Sequence, residues 1–133
     1  MNEYEKKVLE CHEAFEVAVN QKYSKDLLAL RETLISEELE ELKKEFKQMS
    51  KEIEENGNPS KETTLKMFKE LADLQYVLSG TAVSFNIPLT EVFSRVHKSN
   101  MSKLVNGKPL KREDGKFLKG PNYNPPILDD LID

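Results

Sequence analysis

Two short runs carry acidic residues at a spacing that could do chemistry: Ser36-Glu37-Glu38-Leu39-Glu40-Glu41 and Glu70-Leu71-Ala72-Asp73. On a helix, residues three apart share a face. Glu38 and Glu41 therefore point one way, and so do Glu70 and Asp73. Both pairs border apolar positions: Glu38 stands between Leu34 and Leu42, while Glu70 and Asp73 straddle Leu71 beside Leu74. Carboxylates gathered in one place repel one another unless a cation neutralises them. Oxygen-only ligands suit Mg²⁺, with Mn²⁺ as a substitute, rather than zinc. Glu37, one position earlier, adds a carboxylate for a second ion. No Glu-x-x-His pair is present, which argues against a ferritin-like di-iron site; His12 and His97 read as ordinary helix residues. Glu and Lys also fill the solvated faces of ordinary helices, and this chain has 24 acidic residues. An isolated Glu-x-x-Glu is therefore no evidence. The weight lies in two pairs, each beside an apolar stripe, on helices joined by a short turn.

Four helices and an irregular tail must position these residues. The first is expected from about Glu3 to Asn20, on the recurrence of Val8, Leu9, Ala14, Phe15 and Ala18. The second follows Ser24, an N-cap residue, and carries Leu27, Leu30, Leu34, Leu42, Phe46, Met49 and Ile53 in one stripe. Asn56-Gly57-Asn58-Pro59 ends it, since Gly suits a C-cap and Pro cannot continue the helix. The third opens at Ser60, with Glu62 in its first turn. It carries Leu65, Phe68, Leu71, Leu74, Leu78 and Ala82, and should stop near Asn86-Ile87-Pro88. The fourth is expected to start with Thr90 as N-cap and holds Val92, Phe93, Val96 and Met101. The short linker after the second helix predicts that it and the third pack antiparallel, so the four carboxylates converge at the edge of the core. Beyond Val105 the chain changes character. Asn106-Gly107 and Asp114-Gly115 are turn dipeptides, one of which could tip a short hairpin. Gly120-Pro121-Asn122-Tyr123-Asn124-Pro125-Pro126 does not read as helix. Phe117, Leu118, Tyr123, Ile127 and Leu128 offer anchors that would dock this end.

With 133 residues the chain has the length of one domain, read here as a helical core over 1–104 and a tail over 105–133. Hydrophobic residues make up 38% and charged residues 33%. That balance suits long amphipathic helices completing their core against further copies, so a homodimer or homotetramer is expected. The formal charge of −4 gives no sign of nucleic-acid binding. All of it lies in residues 1–104; the tail balances to zero, with a basic first half containing Lys108, Lys111, Arg112, Lys116 and Lys119. The lone Cys11 has no disulfide partner and no zinc-type set around it. MNEYEKKVLE lacks the apolar core of a signal peptide, and no run of apolar residues is long enough to span a membrane. The expected compartment is the cytoplasm, with no membrane partner.

The order Glu-Glu-x-x-Glu, 28 intervening residues, then Glu-x-x-Asp resembles the signature of the all-α nucleoside triphosphate pyrophosphohydrolases. That superfamily includes MazG proteins, dimeric dUTPases and phosphoribosyl-ATP pyrophosphohydrolase. Val96-His97-Lys98-Ser99-Asn100-Met101-Ser102-Lys103-Leu104, Asp114-Gly115-Lys116 and Lys119-Gly120-Pro121-Asn122-Tyr123 are similar to the C-terminal half of short MazG-like proteins. The likeness runs over roughly residues 27–128.

The resemblance implies an all-α, four-helix MazG-like bundle completed by homo-oligomerisation. It implies Mg²⁺-dependent cleavage of a (deoxy)nucleoside triphosphate between the α and β phosphates, giving a monophosphate and pyrophosphate. Glu38, Glu41, Glu70 and Asp73 would then be metal ligands, with Glu37 a ligand of a second ion or the base that deprotonates water. Lys98, Asn100, Lys103, Lys116 and Lys119 become candidates for phosphate or sugar contacts, because lysine serves phosphate as a point charge. Tyr123 would stack on the base or anchor the tail, and the tail would cover the bound nucleotide. A phosphoribosyl-ATP hydrolase is the alternative within the superfamily, which the tail does not favour; a non-enzymatic helical dimerisation module is the alternative outside it.

Overall fold

The computed structural model describes residues 1–132; Asp133, the end of the expected tail, lies outside the described residues. Four α-helices come first: α1 Glu3–Ala14, α2 Lys25–Asn56, α3 Lys61–Phe85 and α4 Leu89–Met101. Two two-residue strands follow, β1 Leu110–Lys111 and β2 Phe117–Leu118, and then a 3₁₀ turn, Asp129–Leu131. The chain folds into two compact units, one spanning Met1–Ile87 and the other beginning at Pro88. The sequence division after Leu104 marks the change from helix to irregular chain. Compactness divides the chain earlier, so α4 shares a unit with the tail.

In the first unit, α3 packs against both α2 and α1. Ser24 caps α2 by accepting a hydrogen bond from the Leu27 amide, and Gly57 closes it in the left-handed region at φ 84°. Ser60 caps α3 in the same way through the Thr63 amide. The turn between them is locked by Glu52. Its carboxylate accepts from the Ser60 amide at 2.6 Å, from the Thr63 hydroxyl at 2.6 Å and from Gln48 at 2.8 Å. Those bonds hold the Glu52 carboxyl down to a pKa of about 2, the Thr63 hydroxyl contributing most. Higher up the pair, Arg31 of α2 donates to the Val77 carbonyl and the Thr81 hydroxyl of α3 at 2.8 and 3.2 Å. Position 52 thus faces 60–63 while position 31 faces 77–81, which is antiparallel packing.

Arg31 is buried, and its guanidinium lies over Gly80 where a Cβ would stand; His12 Nε2 is 3.1 Å from the same point. Gly80 is therefore in mid-helix because the arginine and the histidine need its space, despite a helix-propensity cost of about 1 kcal/mol.

Helix α1 is shorter than the apolar recurrence suggests. It ends at Ala14 rather than near Asn20, and Glu16 and Asn20 both take positive φ. Tertiary hydrogen bonding overrides the pattern. The Asn20 and Gln21 amides donate to the Val83 and Ser84 carbonyls at the end of α3, which would otherwise lack partners. The Ala18 carbonyl meanwhile accepts from the buried Ser84 hydroxyl and lies 3.0 Å from His12 Nδ1. A helical continuation would remove all of these.

In the second unit, α4 begins at Leu89, one residue before the expected cap, so Thr90 lies inside the first turn and Pro88 occupies the cap position. Both turn dipeptides make tight reversals. Asn106 and Gly107, at φ 53° and 75°, link the Val105–Lys108 bridge, and Gly115 at φ 87° closes the loop between β1 and β2. The strands pair antiparallel, Leu110 with Leu118 and Lys111 with Phe117. Ile127 and Asp130 are tied to α4: Arg95 donates to both carboxylate oxygens of Asp130, at 2.6 and 3.0 Å, and to the Ile127 carbonyl.

Candidate metal centre

Glu38 and Glu41 lie one turn apart on α2, and Glu70 and Asp73 one turn apart on α3. The antiparallel register fixed at Arg31 and Glu52 sets the two pairs opposite each other. The structure brings Glu38, Glu41 and Glu70 together, with one carboxylate oxygen from each inside a span of 4.8 Å. Glu38 Oε2 and Glu70 Oε2 are buried and accept no hydrogen bond. Burial pushes the Glu38 carboxyl up, and the neighbouring charges of Asp73, Glu41 and Glu70 push the same way. Burial, with the hydrogen bond to Glu41, likewise raises Glu70. Asp73 stands at the rim of the group, where Lys69 Nζ meets its Oδ2 at 2.7 Å. Glu37 is exposed on α2 and is not drawn into the group.

This donor set fits a hard divalent cation. Buried carboxylate oxygens without donors carry a desolvation cost that hydrogen bonds do not offset. The two orphaned oxygens share the site with further carboxylates and are presented by rigid helices. All the candidate donors are oxygen, a set that suits Mg²⁺ or Mn²⁺. Among the described residues, no other group of acidic, histidine or cysteine side chains converges in this way. His12 is committed to the α1–α3 packing, and burial lowers its pKa.

The substrate candidates all lie in the second unit and fall into separate surroundings there. Lys98 lines a groove of about 650 Å³ with Ser94, Arg95, Ser99, Pro125 and Pro126. Asn100 and Lys103 line another, of about 310 Å³, with Leu104, Pro109, Phe117 and Leu118. Lys119 Nζ sits 4.7 Å above the Tyr123 ring, a cation–π contact within the tail. The Lys116 amide donates to Asp114, and its side chain is exposed.

Two residues were not singled out from the sequence. Arg31 lies seven positions before Glu38, on the same side of α2. A basic residue inside an apolar stripe, together with a mid-helix Ser-Gly-Thr run on the partner helix, was the available signal. Lys69 was legible as the i,i+4 partner of Asp73.

A sequence model of the phosphoribosyl-ATP pyrophosphohydrolase family matches residues 8–100. The match takes in the second half of α1, all of α2 and α3 and nearly all of α4, including every residue of the acidic centre, and stops before the irregular tail. No curated protein matches the chain.

Proposed function

The chain belongs to the phosphoribosyl-ATP pyrophosphohydrolase family, within the MazG-like all-α superfamily, and from that premise we propose that it is a Mg²⁺-dependent nucleoside triphosphate pyrophosphohydrolase. The coarse activity, hydrolysis of a phosphoric anhydride, comes with the family. The observation that carries the finer reading is the pair of buried, partnerless oxygens on Glu38 and Glu70, set among further carboxylates. Such a group is costly to fold unless a cation completes it.

Glu38, Glu41, Glu70 and Asp73 are the proposed ligands. When bound, Mg²⁺ would offset the phosphate charge and polarise the attacked phosphorus. Glu37, exposed one position before Glu38, is free to take a proton from water or to hold a second ion. Lys98, Asn100, Lys103, Lys116, Lys119 and Tyr123 are the proposed contacts to phosphate, sugar and base. The products are a nucleoside monophosphate and pyrophosphate.

The name of the matched family favours a second reading, in which the substrate is phosphoribosyl-ATP. One experiment separates the two. Pyrophosphate release is measured over a panel of ribo- and deoxyribonucleoside triphosphates and phosphoribosyl-ATP, each with Mg²⁺ and again with chelator. Turnover of a common triphosphate that stops with chelator supports the first reading. Turnover of phosphoribosyl-ATP alone supports the second. Release that is indifferent to chelator refutes the metal centre.

A further inference from the structure

Among the described residues, Lys69 is the one cation that pairs with the acidic centre. Its Nζ lies 2.7 Å from Asp73 Oδ2 and 3.7 Å from Glu70 Oε1, on a side chain that is 70% exposed. Lys43 on α2 and Lys66 on α3 pair outside the group, with Glu40 and Glu62. Lys69 therefore approaches from the solvent side and bridges two proposed ligands along α3. It leaves the inner oxygens, Glu38 Oε2 and Glu70 Oε2, without donors. An ammonium at the rim and a dication among the same carboxylates compete, for Asp73 above all. The exposed i,i+4 pair is weak, so the lysine gives it up at little cost.

From this geometry we infer that Lys69 is a hand-over residue: it holds Asp73 and Glu70 before the cation arrives, and once displaced it binds a phosphate oxygen of the substrate. The inference rests on the metal-site reading proposed above. Three features support it. Lysine carries a compact charge on a four-carbon stem, which reorients without moving the helix. Its reach already covers two ligands, so an oxygen carried by a cation on those carboxylates falls within its sweep. A triphosphate also brings more negative charge than the carboxylate-held ions offset, so a released ammonium has an anion to meet. The same charge that impedes the empty site would then assist the loaded one.

Calorimetric titration of the full chain tests this in two stages, with wild type, Lys69→Met, Lys69→Arg and Glu38→Gln. The first stage titrates Mg²⁺ alone. The second titrates inorganic tripolyphosphate at saturating Mg²⁺, a probe that carries the charge without a base. Lys69→Met should bind Mg²⁺ about threefold or more tighter than wild type, because its competitor is gone. It should bind tripolyphosphate about tenfold weaker, and Lys69→Arg should recover most of that loss. An unchanged or weaker Mg²⁺ affinity in Lys69→Met overturns the proposal. So does unchanged tripolyphosphate binding, or a wild type that does not bind tripolyphosphate. If wild type binds no Mg²⁺, or Glu38→Gln binds it equally well, the metal site itself falls and the hand-over with it. If Glu38→Gln loses Mg²⁺ while Lys69→Met matches wild type throughout, the hand-over alone fails.

Discussion

Glu38 and Asp73 show how burial turns a common residue type into a specific one. Most of the acidic side chains among the described residues face water. Glu38 is crowded by Glu41, Glu70 and Asp73 and has an oxygen that nothing in the fold satisfies. Removing one charge should relieve the metal-free protein and cripple the loaded one. Glu38→Gln is expected to raise the melting temperature without metal by about 3 °C. It should also abolish the further rise that Mg²⁺ brings to wild type through mass action. Pyrophosphate release by Glu38→Gln or Asp73→Asn should fall by roughly two orders of magnitude or more, since even residues behind a ligand cost about 10–100-fold. Calorimetric melting with and without Mg²⁺, alongside steady-state rates, checks both halves; near-normal rates in the two variants would remove these ligands from the assignment.

The register between α2 and α3 converts sequence spacing into a site, and two side chains hold it. At the turn, Glu52 is ionised in the fold down to about pH 2, against an ordinary value of 4.5. A depressed carboxylate contributes stability that is fully present above the ordinary value and is lost as pH falls towards the lowered one. Glu52→Gln should therefore melt lower than wild type at pH 7, with the difference vanishing between pH 4.5 and 2. Acid titration of melting temperature measures it, and parallel curves down to pH 2 would rule out the lock. At the other end, Gly80→Ala tests the Arg31 clamp. Alanine gains about 1 kcal/mol in helix propensity, but its methyl enters the space of the Arg31 guanidinium, and overpacking costs about 1–3 kcal/mol. Overpacking should win. Denaturant unfolding is expected to show a loss of stability and Mg²⁺ titration a weakened site; a stabilised Gly80→Ala would mean that Arg31 moves aside freely.

At the scale of the whole molecule, the described residues bury few large apolar side chains. Val8, Leu42, Val83 and Phe85 are covered, but Phe68 is 58% exposed, Leu71 50% and Phe46 49%. Phe68 and Leu71 also line a groove of about 500 Å³ with Tyr4, Val8 and Tyr76, in the first unit. Apolar stripes this open on long helices are the mark of an association surface. We expect a homodimer or homotetramer at micromolar concentration, measurable by light scattering on a size-exclusion column. Phe68→Lys should shift it towards the monomer. A compact, active, monodisperse monomer of the wild type would contradict the expectation. No helix among the described residues is long and apolar enough to cross a membrane, so these stripes are not spans.

The amino-acid sequence by itself determined most of the helices and the pairing of the acids. Caps at Ser24 and Ser60, breakers at Gly57 and Asn86, and apolar recurrence are local signals, and local hydrogen bonding obeys them. The i,i+3 spacing of Glu38 with Glu41, and of Glu70 with Asp73, is likewise a property of any helix that carries them. What remained was decided by contacts between residues distant in the chain. The end of α1 answers to carbonyls at the far end of α3, about 65 residues on, so no local pattern could place it. Within the unit that begins at Pro88, Arg95 of α4 binds Ile127 and Asp130, 32 and 35 residues on, which no local pattern announces. Which acids are drawn together, and which stand apart like Glu37, follows from a helix register held by a buried arginine over a glycine. Spacing names the candidates for a metal site, but only packing removes water from two carboxylate oxygens and leaves them without a donor.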